Sequence, residues 1–215
     1  MIGVTFAHPS ESRDFLRLLG GRHREVKVLH TGVGAAACRE RIGPFLESGS
    51  FTCILSSGFA GGIDGSLGAG DLFLAENFSD PHLLELAREA VIASVGRLVS
   101  VDGVIEEPTE RARLAGEHGA AAVDMETEWI ARACAAREIP LLSLRAISDT
   151  TATPFHAPAR VQFELQRQRT PTARLAGYLL LHPPAILRLA RFARRIAAAR
   201  AELAVALKEV IDRLA

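Results

Sequence analysis

The chain has 215 residues, 48% of them hydrophobic, with 25 basic and 25 acidic side chains. That length suits one compact domain with a sizeable core, and the zero net charge offers neither a disordered charged tail nor the basic surplus of a nucleic-acid partner. Cys38, Cys53 and Cys134 are odd in number and lack CxxC or Cys/His spacing, which argues against a disulfide framework and a zinc site and suits core residues in a reducing cytoplasm.

Taken in order, the N-terminal "IGVTF" (Ile2 to Phe6) reads as a strand and is not the leader of an exported protein. A helix follows near Ser12 to Leu19. "EVKVLHTGVG" is a strand ending in a glycine turn, and a helix runs from about Ala35 to Leu46. "TCILSSGFAGG" is a strand expected to end in a second glycine turn, "GDLFLAE" another strand, and "PHLLELAREAVIASV" has helical apolar spacing. "GRLVSVD" reads as a strand and "TERARLAGEHG" as a helix closed by Gly119. "AAVDM" then leads into the helix "ETEWIARACAARE", and "IPLLSLRAISD" is a buried strand with polar residues at its outgoing end.

Strands alternating with helices predict an α/β fold of three layers, α/β/α, around a central mixed, largely parallel sheet, with ligands beyond the carboxyl ends of its strands. No apolar run reaches the ~18 residues of a bilayer span, so the protein is expected to be soluble and cytoplasmic. From Thr150 to Ala201 there are nine arginines and one acid, Glu164, so a single domain over 1–215 carries an Arg-rich, helical C-terminal part from about 157.

Three stretches carry candidate chemistry. "AAVDMETEW" places Asp124, Glu126 and Glu128 around Met125. Glu128 and Arg132, four apart, suit an exposed helix pair, and Asp124 suits a cap, which leaves Glu126 near a ligand; alternatively all three acids serve the helix dipole. "RAISD" puts Asp149 where an α/β enzyme places a proton donor, or an ordinary strand-to-loop aspartate. "TGVG" (Thr31 to Gly34) and "SGFAGG" (Ser57 to Gly62) permit close backbone approach to a ligand.

In order and spacing, "TGVG", "SSGFAGGIDGSLGAGDLFLAE", "VDMETEWIA" and "LRAISD" resemble the signature stretches of the nucleoside phosphorylase and nucleosidase family, which includes the methylthioadenosine/S-adenosylhomocysteine nucleosidases. The resemblance covers roughly residues 2 to 150. It implies that Glu126 holds the ribose hydroxyls, Met125 packs on the sugar, Asp149 protonates N7 of the departing purine, and Glu11 in "HPSESR" activates water. Further substrate contacts are implied at Val33, Phe59, Ala60, Gly61, Val104 and Ile105. Cleaving a purine N-glycosidic bond develops positive charge on the sugar and negative charge on the base, so an anion and a proton donor suffice without metal or organic cofactor. A neutral Asp149 requires a raised pKa, expected from burial.

The chain departs from the family pattern in several places. Ser56 and Phe59 stand where phosphorylases of the family bind phosphate, which favours hydrolysis, although Arg13 or Arg39 could bring charge to the site. About thirty residues separate Asp71 from Asp102, fewer than nucleosidases use, and Val104 replaces a stacking phenylalanine. The C-terminal part looks more like the hopanoid-associated phosphorylases. Leu187, Ala190, Ala193 and Ile196 at helical spacing, flanked by Arg188, Arg191, Arg194 and Arg195, suit either peripheral contact with the inner face of a membrane or a helix packed on the core.

The leading expectation is hydrolysis of a purine, adenosine-type nucleoside by a homo-oligomer with a small-molecule partner. Alternatives are phosphorolysis of an adenosyl lipid, with inorganic phosphate as co-substrate, and a non-catalytic nucleotide-binding or membrane-surface protein.

Overall fold

The computed structural model describes residues 1–20, 25–105, 107–153 and 183–214, the last segment with its side chains from Ala190 onward. The strand β1 (Ile2–Phe6) is buried throughout, and α1 (Pro9–Leu19) starts at an N-cap supplied by His8 with proline at its first position, where the missing N–H costs nothing. Next come β2 (Val26–His30), α2 (Ala35–Glu47), β3 (Cys53–Gly62) and β4 (Leu72–Ala75). The helix α3 (Pro81–Ala90) is capped by the Asp80 carboxylate, which accepts from the His82 and Leu83 N–H groups. It ends before the β-branched Val91, so "SV" of the expected helix opens β5 (Ser94–Ser100) instead.

The helix α4 (Pro108–His118) stops at Gly119 in the left-handed conformation, and β6 (Ala120–Asp124), α5 (Thr127–Ala135) and β7 (Leu141–Asp149) follow. Last is α6 (Pro183–Leu214). The segment 154–182, including much of the expected Arg-rich part, lies outside the described residues.

Side-chain alternation explains the layering. Along β3, Cys53 and Leu55 enter a core cluster with β1, α1, α3 and α6, while Ile54 points the other way into a cluster with α2 and α5. Helices thus cover both faces, and the sheet is mixed and largely parallel. Strand order is β2-β1-β3-β6-β5-β4-β7, and β7 also pairs in parallel with β3, so five of the seven strands form a closed ring. Among the described residues, antiparallel pairing is confined to β3 with β6 and β4 with β7.

The stretch "SGFAGG" is not a turn. It continues β3, whose outgoing end leaves β1 and pairs with β6 at Gly61 and Gly62. Gly58 lies at φ 144 with the Glu11 carboxylate 2.9 Å from where a Cβ would stand, so glycine here keeps the strand running past a buried acid.

The carboxyl-terminal half of α6 is core: Ala199, Leu203, Ala204, Ala206, Leu207, Val210 and Ile211 are buried. Farther back on α6, Ala190 and Ala193 are exposed and Ile196 is half-buried, so the expected apolar stripe divides. Among the described residues no helix is long and apolar enough to cross a membrane.

Candidate active site

Beyond the carboxyl ends of the strands lies a cavity of about 510 Å³. Glu11, Glu126 and Asp149 all line it, as do Met125, Val33, Phe59, Ala60, Gly61, Val104 and Ile105. The structure therefore brings the three acids and the seven expected substrate contacts to one place.

Glu11 stands at the third position of α1. Its Oε2 accepts from the backbone N–H of Ala7 at 3.0 Å and of His8 at 3.3 Å, while the His8 side chain accepts from Ser10 N–H, so a capping box anchors the acid beside the end of β1. Burial pushes its pKa up to about 7 against these backbone donors and the charge of Arg145. Glu126 immediately precedes α5. Its Oε1 accepts from Gly34 N–H at 2.6 Å, so the "TGVG" turn reaches across to the second acid. Burial, reinforced by the neighbouring Asp124 charge, pushes the Glu126 pKa to about 7 as well.

Asp124 has a structural place. It accepts from Ser100 Oγ, from the backbone N–H and hydroxyl of Thr127, and from Arg145. Glu128 and Arg132 form the expected pair at the surface, 2.5 Å apart. Cys38, Cys53 and Cys134 are free and buried.

Two buried arginines were not among the expected site residues. Arg145 on β7 donates through Nη2 to Ser56 Oγ at 2.7 Å and to Asp124 Oδ2 at 3.1 Å. Its one signal in the sequence is a charge inside the apolar run "LLSLRAI". Arg111 shares a face of α4 with buried Leu114, and that spacing is its signal. It pairs with Asp149 through Nη2 and Oδ2. The burial expected for Asp149 is thus shared with a guanidinium. Arg13 and Arg39 do not line the cavity; Arg39 stacks over Trp129 at 3.3 Å, and Arg13 lies against Asp14 at 3.6 Å.

Below the two glutamates a recess of about 20 Å³ opens, lined by Thr5, Ser57, Glu11, Glu126 and Arg145 among others. Thr5 Oγ1, Ser57 Oγ and Arg145 Nη1 are buried there without a protein partner. On the other wall, Phe192 and Ile196 of α6 close the main cavity, and neither was among the expected contacts.

A family model described as the phosphorylase superfamily matches residues 75–180. The 5′-methylthioadenosine/S-adenosylhomocysteine nucleosidase of Staphylococcus saprophyticus is 30% identical over 162 residues, 60% of this chain and 71% of that protein. Among solved structures, futalosine hydrolase of Helicobacter pylori superposes with a TM-score of 0.73 at 18% identity, covering 98% of this chain and 97% of that one. The 5′-methylthioadenosine/S-adenosyl homocysteine nucleosidase of Helicobacter pylori gives 0.72 at 18% identity over 98% and 97% of the two chains. At that identity the structural likeness is one of fold.

Proposed function

The chain belongs to the nucleoside phosphorylase and nucleosidase family, and on that premise we propose that it hydrolyses the N-glycosidic bond of a purine nucleoside and releases the base. The observation that carries hydrolysis over phosphorolysis is the recess beneath Glu11 and Glu126. Its volume of about 20 Å³ fits one water beside both acids. The unpartnered Thr5, Ser57 and Arg145 atoms supply the polar contacts such a water needs. The α2 N-terminal amide of Gly34, which elsewhere would attract an anion, already binds Glu126.

In this reading the purine lies toward Asp149 and the sugar toward Glu126 and Met125. As the bond to the base lengthens, positive charge grows on the sugar and faces the Glu126 carboxylate, while Asp149 gives a proton to the leaving base. Glu11, with a pKa of about 7, takes a proton from the attacking water. Apolar Val104, Met125, Phe192 and Ile196 limit competing solvent.

The test is base release from a panel of purine nucleosides, adenosine-type first, with and without phosphate. Turnover is expected without phosphate, with free ribose as co-product, and to rise with pH through about 7 as Glu11 ionises. A strict phosphate requirement would refute the hydrolytic reading and favour a phosphorylase.

Peripheral membrane contact is also part of the proposal. Exposed Arg191 and Arg194 flank Phe192 at the cavity wall, which suits an anionic surface near the mouth of the site. Binding to anionic vesicles is expected at low salt and should weaken as salt rises. Absence of binding at low salt would discard the membrane contact and leave the hydrolase reading intact.

A further inference from the structure

We infer that Arg111 is a positioning residue of this reaction, which holds Asp149 so that one defined oxygen, Oδ1, carries the proton for the base. The inference rests on the hydrolase reading above. Arg111 is 5% exposed and uses all of its fork: Nε donates to Ile105 O at 3.0 Å, Nη1 to Gly62 O at 3.1 Å and Nη2 to Asp149 Oδ2. One side chain of α4 thereby ties together the end of β3, the end of β7 and the loop that brings Val104 and Ile105 to the cavity.

A guanidinium has donors and no acceptor. Oδ2 is therefore held as an acceptor, and a proton taken up by Asp149 resides on Oδ1. Oδ1 now accepts from Ser148 Oγ at 2.6 Å, and the same hydroxyl has Ala60 O at 3.2 Å. When Oδ1 is protonated, the Ser148 hydroxyl turns to Ala60 and leaves Oδ1–H to donate to the base. The proton passes from Oδ1 to the base nitrogen as the glycosidic electron pair moves onto the base, and Asp149 returns to the carboxylate that Arg111 stabilises.

Among the described residues, the other ionisable groups lining the cavity are engaged elsewhere. Glu11 accepts from Ala7 and His8, Asp124 from Arg145 and Thr127, and Glu126 from Gly34. Among the described side chains of α6, Phe192 and Ile196 reach the wall. Arg111 is thus the charged side chain that holds Asp149.

The experiment compares pH profiles of kcat and KM for the wild type, R111M and R111K, with thermal melts of each. R111M is expected to lose about 10–100-fold in maximal kcat and to move the basic limb up by about one pH unit or more, because the uncompensated acid holds its proton more tightly. R111K keeps the charge and so the limb, but loses the fork to Ile105 and Gly62 and raises KM. Profiles of R111M that superimpose on the wild type after uniform scaling, or an R111K indistinguishable from wild type, would overturn the assignment.

A second readout does not need turnover: proton uptake on binding free adenine, from calorimetry in two buffers of different ionisation heat. R111M should change the number of protons taken up near neutral pH, and no change would overturn the assignment. A wild type that binds adenine with Arg111-dependent proton uptake but releases no base would defeat the hydrolase reading alone. Failure to bind adenine at all would defeat both.

Discussion

Asp149→Asn is expected to lower base release by about 10²–10⁴, the usual cost of losing one proton donor. The amide has no acidic proton for the leaving base, while its oxygen still accepts from Arg111. The substitution also leaves the buried Arg111 charge without its counter-ion, so a lower melting temperature accompanies the loss of activity. Melting curves and circular dichroism separate the two effects: a folded D149N below its melting temperature isolates the chemistry. Near-normal turnover by that folded variant would remove Asp149 from the mechanism.

Glu11→Gln is expected to do the opposite to stability and the same to activity. The carboxyl group titrates at its ordinary value of 4.5 in the unfolded chain and at about 7 in the fold. A raised pKa means the folded state binds the proton more tightly, so this contribution to stability is full below about 4.5 and is lost as pH rises through about 7. At pH 8 the wild type therefore buries a carboxylate at a cost that glutamine does not incur. A gap of that size corresponds to ~3 kcal/mol at 1.36 kcal/mol per unit, and the open wall of the cavity reduces it to about 1–2. E11Q should melt higher than the wild type at pH 8, equal it near pH 4, and release base about 10²–10⁴-fold more slowly. A melting difference independent of pH would show that the folded pKa of Glu11 is ordinary. Glu126→Gln should follow the same trend, with the added loss of the charge facing the sugar.

Much of the fold is legible in the sequence because local signals and burial agree. Pro and Asp open α3, Gly119 closes α4, and the β-branched runs are strands. The glycine stretch of β3 misleads because glycine signals both a turn and a close approach. Here the close neighbours are Glu11 at Gly58 and Val123 and Arg111 at Gly61, none of them near in sequence. The candidate acids show through their motifs, yet Arg111 and Arg145 do not. Each is a charge in a buried position, and its partner comes from a distant element: Asp149 from β7 for Arg111, Ser56 and Asp124 from β3 and β6 for Arg145. Spacing along one helix or strand carries no trace of such a pairing. The recess under Glu11 and Glu126 is likewise made by the ends of several strands and has no linear signature.

The ring of strands also works as a gauge. Gly61 of β3 is the register partner of Val123 on β6 and of Asp149 on β7. Strands pair at ~4.8 Å, so the acid proposed for the base and the strand that leads to the acid proposed for the sugar stand two steps, or ~10 Å, apart through one residue. Backbone hydrogen bonds set that span, and the loops that line the cavity do not. The 101–105 loop and the stretch of α6 around Phe192 and Ile196 are free to differ in polarity, altering which nucleoside enters, while the distance between proton donor and sugar-facing carboxylate stays the same. Changes in substrate range are therefore to be sought in those walls, and inserting a residue next to Gly61 would uncouple the two acids even with every side chain of the site retained.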